Sequence, residues 1–598
     1  MLGNTVLAAL LATAPLARAD WAGNWDNWWH RPSSTACSTA VQTTQTAASQ
    51  AGSQTASQTC GYAGGAPTVT ISAGVLHGTT TSLPAATATV NQFLGVPFAQ
   101  SPPLRFAPAV KANSSSRVIN ATAFSPSCPQ QFAIPGSAFI FNNPAPPESE
   151  DCLYLNVYTP STPAPADGRP VLFWIYGGAL QFGNAGQHAY DGSWFASYED
   201  VIVVTTNYRT NVFGFPSSPE LPSDGHNLGF LDQRLALQWV QDNIHLFGGS
   251  KNKVTIFGES AGAFSVDALL TSFPANSTPP FRGAILESGQ YSYRAAAFAS
   301  SAPSWYALSD ALGCPGSYSS NLTCLRAANV SSIINTITSK ALLFNPYPDN
   351  KTLVSNPAAQ RLSGNIAKIP VLGGTNAQEG RVFEVGQQNL TASLNTFFGN
   401  NTALKDSVAE AFKIPQLGIN APYDQISQIF TELVFQCPAA KWANDTASVG
   451  IPAWRYYFNS SFTNTQALPG LGVYHSSEIE IVYGTYANAT VTTQENALSQ
   501  AMMGAWAKFA RNPNYGPGWN RVGTGASGSV LVGASANATS GVLTNSNGTV
   551  QAGFVDLGLW GNRGDALSAG ITVIEQSEVD FRCHVFDAVY ALANSVSP

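Results

Sequence analysis

Ser260 stands in Gly258-Glu259-Ser260-Ala261-Gly262, straight after the apolar run Val254-Thr255-Ile256-Phe257 and ahead of a helix-compatible stretch. This is G-x-S-x-G in the strand–turn–helix setting that the motif requires. A serine at the tip of so sharp a turn is held in strained backbone, with its hydroxyl presented outward. Side chains two positions to either side would collide, so both of those positions are glycine. The helix that follows offers free N–H groups to developing negative charge. The chemistry is that of a nucleophile attacking an acyl carbon. The plain alternative is a tight glycine turn without chemistry. Fragments of the motif do arise by chance among 52 glycines, as at Gly525-Ala526-Ser527 and Gly533-Ala534-Ser535, but both lack the closing glycine.

An attacked carbonyl becomes a tetrahedral oxyanion, which needs two or three fixed donors. The N–H of Ala261 is one. Phe173-Trp174-Ile175-Tyr176-Gly177-Gly178-Ala179 reads as an earlier strand with the Gly-rich loop that would supply the others. Small residues there let backbone approach the substrate closely. An ordinary Gly-Gly turn is the bland alternative.

The serine also needs a base, and behind a nucleophile of this kind the acid and then the histidine follow in the chain. Of seven histidines only His475 and His584 lie beyond Ser260. His584 adjoins Cys583 near the chain end and reads as structural. His475 lies in Gly472-Val473-Tyr474-His475-Ser476-Ser477-Glu478, a loop after the aromatic strand Trp454 to Phe458. The acid must orient the imidazole and stabilise its charged form. Glu379 fits, since Lys368-Ile369-Pro370-Val371-Leu372 reads as a strand and residues 373–380 as the loop after it. Asp349 is a rival on spacing alone.

These groups need a frame. Strand-like runs at Val171–Tyr176, Val201–Asn207, Val254–Phe257, Gly283–Leu286 and Ile369–Leu372 alternate with helical stretches such as Asp232–Leu246. Buried strands alternating with helices predict an α/β fold with a large, mostly parallel central sheet and helices on both faces. No internal repeat is visible. Residues 522–556, rich in Gly, Ser, Asn and Ala, read as a surface loop.

The 598 residues are 44% hydrophobic but only 10% charged, with a net charge of −7. That excess of negative charge argues against nucleic acid or an anionic membrane as partner. The usual charged share is about a quarter, so solubility needs another source. N-x-[ST] sequons offer one, at Asn113, Asn120, Asn276, Asn321, Asn329, Asn350, Asn389, Asn400, Asn444, Asn459, Asn488, Asn537 and Asn547. Some must be chance. Residues 1–19 read as a signal peptide, with an apolar run from Val6 to Leu16 and Ala17-Arg18-Ala19 before Asp20. The run lacks a basic n-region, and a buried N-terminal helix is the alternative. Residues 20–66 read as a Trp- and Ser/Thr-rich extension, with Trp21, Trp25, Trp28 and Trp29 as a carbohydrate platform or as aromatics docked elsewhere. Residues 67–598 would form the main domain. No stretch reaches the ~18 apolar residues of a membrane span. An exported chain should pair most of its eight cysteines.

Taken together the motifs resemble the type-B carboxylesterase family, the cholinesterase and fungal-lipase branch of the α/β-hydrolase fold. Asn227-Leu228-Gly229-Phe230-Leu231-Asp232-Gln233-Arg234, then Phe247-Gly248-Gly249, then Phe257-Gly258-Glu259-Ser260-Ala261-Gly262 resemble its longest shared stretch. Ser149-Glu150-Asp151-Cys152-Leu153-Tyr154-Leu155-Asn156 is similar to its second signature. Phe93 to Ala99, with Arg105-Phe106, also fits. The resemblance implies a triad of Ser260, Glu379 and His475, with Glu379 favoured because Gln378-Glu379-Gly380 resembles the family's Asp-Glu-Gly. It implies oxyanion donors at Gly178, Ala179 and Ala261, and disulfides Cys128–Cys152, Cys314–Cys324 and Cys437–Cys583. That leaves Cys37–Cys60 by exclusion. It implies an Arg105–Glu150 ion pair, and an acyl pocket lined by Phe344 and Leu342. Ala179 replaces a family glycine, and Asn142 stands where cholinesterases carry a cation-binding Trp.

The expected activity is hydrolysis of small-molecule carboxylic esters through an acyl-enzyme, with no metal and no organic cofactor. The loop between Cys128 and Cys152 holds only 23 residues, five of them proline (129, 135, 144, 146 and 147), which favours soluble short- to medium-chain esters over lipid. Lipase or sterol-esterase activity is one alternative. Another is a non-catalytic binding or adhesion protein, although such relatives lack the serine or the histidine.

Overall fold

The computed structural model describes residues 65–86, 88–133, 136–294, 300–314, 321–416, 418–519, 521–522, 554–557, 571–574 and 576–595. The signal segment, the Trp-rich extension, Cys37, Cys60 and most of 522–556 lie outside the described residues.

Fourteen strands are present among the described residues: β1 Thr68–Ile71, β2 Gly74–His77, β3 Thr79–Thr81, β4 Val90–Pro97, β5 Val118–Asn120, β6 Tyr154–Pro160, β7 Arg169–Ile175, β8 Ile202–Thr206, β9 Gly249–Glu259, β10 Gly283–Glu287, β11 Val371–Asn376, β12 Ala453–Phe458, β13 Phe554–Leu557 and β14 Ile571–Ile574. Three form a small sheet, β1-β2-β5. The other eleven form one sheet in the order β14-β13-β12-β11-β10-β9-β7-β8-β6-β4-β3. From β8 to β13 every neighbouring pair is parallel, and the strands outside that block pair antiparallel. This is the mostly parallel sheet that the sequence predicts.

The reason lies in the strand residues. Val254 to Glu259 of β9, all of β8 and all of β10 are buried at every consecutive position. Side chains alternate between faces, so both faces of the sheet are covered. The cover over β9 and β10 is helix Ala261–Ser272, and helix Cys437–Ser448 covers β11 and β12. Helix Thr493–Arg511 packs on β7 and β9. It opens with a capping box in which Thr492 Oγ1 accepts from Glu495 N–H and the Glu495 carboxylate accepts from Thr492 N–H.

Several expected boundaries move, β9 among them, which starts at Gly249 rather than Val254, and two of the shifts have a local cause. The helix expected over Asp232–Leu246 runs from Leu228 to Asn243, then tightens into a 3-10 turn over Ile244–Phe247. Gly229 falls inside it because the Arg209 carbonyl oxygen approaches so closely that a Cβ there would sit 2.4 Å away. The strand expected over 368–372 starts only at Val371 and continues to Asn376. Pro370 has no N–H to give to a ladder, so pairing begins after it.

Candidate active site

β9 ends at Glu259, and the next residue is the turn. Ser260 has φ 55° and ψ −121°, a conformation that L side chains seldom adopt. A Cβ on Gly258 would lie 2.5 Å, and one on Gly262 1.9 Å, from the carbonyl oxygen of Ile175 at the end of β7. The two glycines are therefore what lets the turn close over the neighbouring strand. Ser260 N–H donates to the Glu287 carbonyl of β10 at 2.8 Å, and Phe264 N–H donates to the Ser260 carbonyl at 2.9 Å to start the helix.

The loop after β7 runs beside this turn. A Cβ on Gly177 would lie 2.9 Å from the Ser260 Cβ. Gly178, Ala179 and Leu180 follow with φ of 107°, 54° and 59°. Hydrogen bonds lock that bend: Gln181 and Phe182 N–H donate to the Gly178 carbonyl, and Asn211 N–H to that of Leu180 at 2.7 Å. Gly183 N–H donates to the Gln130 side chain. Ala179 is the position where the resemblance would have a glycine. The structure adds a cost, since a Cβ at this positive φ disfavours the loop by about 1 kcal/mol.

On the other side, β11 and β12 deliver the remaining pair. His475 Nδ1 and Glu379 Oε2 are 2.7 Å apart, and both side chains are buried. The second Glu379 oxygen accepts from Asn376 N–H at 2.7 Å. With Nδ1 committed to the carboxylate, Nε2 is the acceptor nitrogen. It lies 3.1 Å from Glu259 Oε1 without hydrogen-bonding to it. Glu259 precedes Ser260, so the imidazole sits against the serine turn. The rival acid is elsewhere employed: the Asp349 carboxylate accepts from the N–H groups of Lys351, Thr352 and Leu353. His584 is exposed and only bonds to the Phe581 carbonyl.

Sequence comparison fixes the group. The profile of the Carboxylesterase family matches residues 65–546. The chain belongs to the carboxylesterase family. Its relatives include an acetylcholinesterase of Bungarus fasciatus, 36% identical over 72% of this chain and 76% of that one. Secreted lipase 1 of Botryotinia fuckeliana is 35% identical over 70% and 81%. A mouse (Mus musculus) cholinesterase is 34% identical over 72% and 77%. As a carboxylesterase-family member the chain is a carboxylic-ester hydrolase with the α/β-hydrolase fold.

Within this carboxylesterase the expected disulfides Cys128–Cys152, Cys314–Cys324 and Cys437–Cys583 are present. Arg105 and Glu150 form a two-pronged ion pair at 2.7 and 2.5 Å. Phe344 is fully buried, and its carbonyl accepts from Gln181 of the loop after β7 at 3.2 Å. Leu342 is half-buried, with its carbonyl held by Gln131. Asn142 is buried and accepts from Gln130, so it presents no ring to a cation.

The sequence reading missed several groups around the imidazole and the serine turn. Ser476 Oγ donates to Glu259 Oε1 at 2.6 Å. Glu478 accepts from Asn376 Nδ2, and Trp506 Nε1 donates to Glu287 at 2.6 Å. Phe383 and Phe435 rings lie 5.1 and 4.6 Å from the imidazole centroid. Only Glu259, the middle letter of the motif, had a sequence signal. Burial pushes the Glu259 carboxyl up to about 7, against the pull of His475 and Ser476. Burial likewise takes Glu287 up to about 8, partly offset by Trp506. Glu478 is driven well above the carboxylate range by burial and by the carboxylates around it. For His475, burial disfavours the charged form, but the charges of Glu259 and Glu379 outweigh it, so its pKa is raised.

Proposed function

We propose that this carboxylesterase-family chain is a secreted serine esterase acting on soluble short- to medium-chain esters, with Ser260 as nucleophile, His475 as base and Glu379 as acid. The observation that carries the reading is the 2.7 Å Glu379–His475 bond held against a serine at positive φ. Ser260 Oγ attacks the ester carbon while His475 Nε2 takes its proton. The tetrahedral oxyanion meets the N–H groups of Gly178, Ala179 and Ala261. Collapse expels the alcohol, which takes the proton from His475 and leaves the acyl group on Ser260. Water, deprotonated by the same imidazole, attacks the acyl carbon; the bond to Ser260 Oγ breaks, Oγ takes the proton back from His475, and the acid leaves.

The substrate class rests on the loop closed by Cys128–Cys152. It carries a short helix, Ser137–Phe141, whose Ile140 and Phe141 pack on Val382, Leu471 and Tyr474. Gln187 Nε2 donates to the Phe141 carbonyl at 2.7 Å, and the Phe141 ring stacks on Phe182. A short loop tied at this many points is a poor lid, and Asn142 offers no π-face for choline. Secretion is supported by three disulfides and by sequons at the surface. One observation favours a lipase instead: Phe139 of the same helix is 50% exposed.

The test is hydrolysis of p-nitrophenyl esters of increasing acyl length by wild type and Ser260→Ala. Wild type should favour the short and medium esters, with no jump in rate above the solubility limit, and the variant should be inactive while folded. Equal activity in the two proteins would refute the nucleophile. A sharp rise at the lipid–water interface would make the protein a lipase.

A further inference from the structure

The helix Pro422–Thr431 does not stop where its hydrogen bonds would end it. It widens into a π-helical turn over Glu432–Gln436, then resumes as Cys437–Ser448. A π-turn inserts one residue into the helix and leaves a carbonyl without its usual partner, so it forms only where something else supports it. The support here comes from the C-terminal segment, through four residues in and just after the turn. The Glu432 carboxylate is gripped by the Arg582 guanidinium. The Leu433 carbonyl accepts from the Tyr590 hydroxyl at 2.8 Å. Gln436 Nε2 donates to the Val579 carbonyl at 2.6 Å. Cys437 is bonded to Cys583.

What the turn holds is the catalytic pair. Thr431, at its entrance, accepts from Gly380 N–H at 2.9 Å, the residue beside Glu379. Phe435, inside it, lays its ring 4.6 Å from the His475 imidazole, and Phe383 covers the same ring at 5.1 Å. Removing the inserted residue would rotate Phe435 by about 100° around the helix axis and off the imidazole. We propose that Phe435 is a positioning residue for the base, and that the C-terminal segment 576–595 sets its place by holding the π-turn open. The proposal rests on the reading of His475 as base.

Three variants assayed on p-nitrophenyl butyrate test it, with the imidazole proton facing Glu379 followed by downfield one-dimensional proton NMR. Phe435→Ala should lower kcat on the order of 10- to 100-fold through misplacement of the base, with KM little changed and the imidazole signal broadened. Phe435→Leu, which refills the space, should recover most of the rate. Tyr590→Phe, which removes one hydroxyl, should lower kcat in the same sense by a few-fold. A Phe435→Ala effect confined to KM would make the ring a pocket wall and overturn the proposal. Wild-type kcat in Tyr590→Phe would overturn the part given to the C-terminal segment. Undiminished activity in Ser260→Ala would instead strike the triad reading, which separates the two failures.

Discussion

A histidine between two carboxylates gains a base's strength and a narrower working range. Nδ1 of His475 is 2.7 Å from Glu379 and Nε2 is 3.1 Å from Glu259. The Glu379 charge, and that of Glu259 when it is ionised, favour the imidazolium, and they raise its pKa despite burial. In the proposed mechanism His475 works as base only when neutral, so activity is lost as pH falls through that raised value, and the acidic limb should lie above the ordinary histidine value of about 6.5. Glu259→Gln removes one of the charges, which makes the imidazolium less favourable and should move the acidic limb of kcat/KM to lower pH. A pH–rate profile in which that limb stays put or rises would contradict the assignment. The sequence exposed only part of this site. Ser260 was legible because its turn demands glycine on both sides, and His475 because few histidines follow it. Glu287, Glu478 and Phe435 were not, because nothing local distinguishes a buried carboxylate or ring that matters from one that merely packs.

The elements that frame Ser260 are held by a buried charge that no motif announced. Asp267, on helix Ala261–Ser272, accepts from Tyr291 N–H, Ser292 N–H, Ser292 Oγ and Trp442 Nε1, and pairs with Arg361. Both charged side chains are fully buried. The aspartate thus joins the helix after Ser260 to the segment after β10, whose Glu287 carbonyl holds the serine turn. Removing one partner of such a pair strands the other, so Asp267→Ala should cost about 3–5 kcal/mol in urea unfolding. Replacing both partners by methionine should cost less than the single change, and an equal or greater loss would mean that the pair itself is stabilising. The central strands were readable at this scale because their cores are continuous apolar runs, whereas a short polar strand such as β3, Thr79–Thr81, carries no such signal. Their ends were less so: β11 shifts past Pro370, and the helix at Leu228 begins ahead of its expected start because Gly229 there serves close packing rather than a break.

For the whole molecule the scarcity of charge sets the question of how the surface stays wetted. Among the described sequons, Asn113, Asn120, Asn276, Asn329, Asn350, Asn389, Asn400, Asn444 and Asn488 are exposed, whereas Asn321 is 2% exposed and Asn459 is half-buried. A glycan at Asn321 would have to displace the helix that begins there. Glycopeptide mapping after enzymatic deglycosylation in heavy-oxygen water should therefore mark Asn276 and Asn488 and leave Asn321 unlabelled; label at Asn321 would contradict the packing of that helix. Composition alone pointed to glycans, but it could not separate buried from exposed asparagines, because the tripeptide reads the same in both.

The Cys437–Cys583 bond joins residues 146 positions apart in the chain. That span contains β12, His475, helix Thr493–Arg511, β13 and β14. A protease that cuts once anywhere inside it releases no fragment. The two pieces stay joined by the sulfur bridge, with the imidazole still threaded between β11 and the serine turn. An enzyme built this way can suffer a nick and keep its parts in register until a reductant arrives.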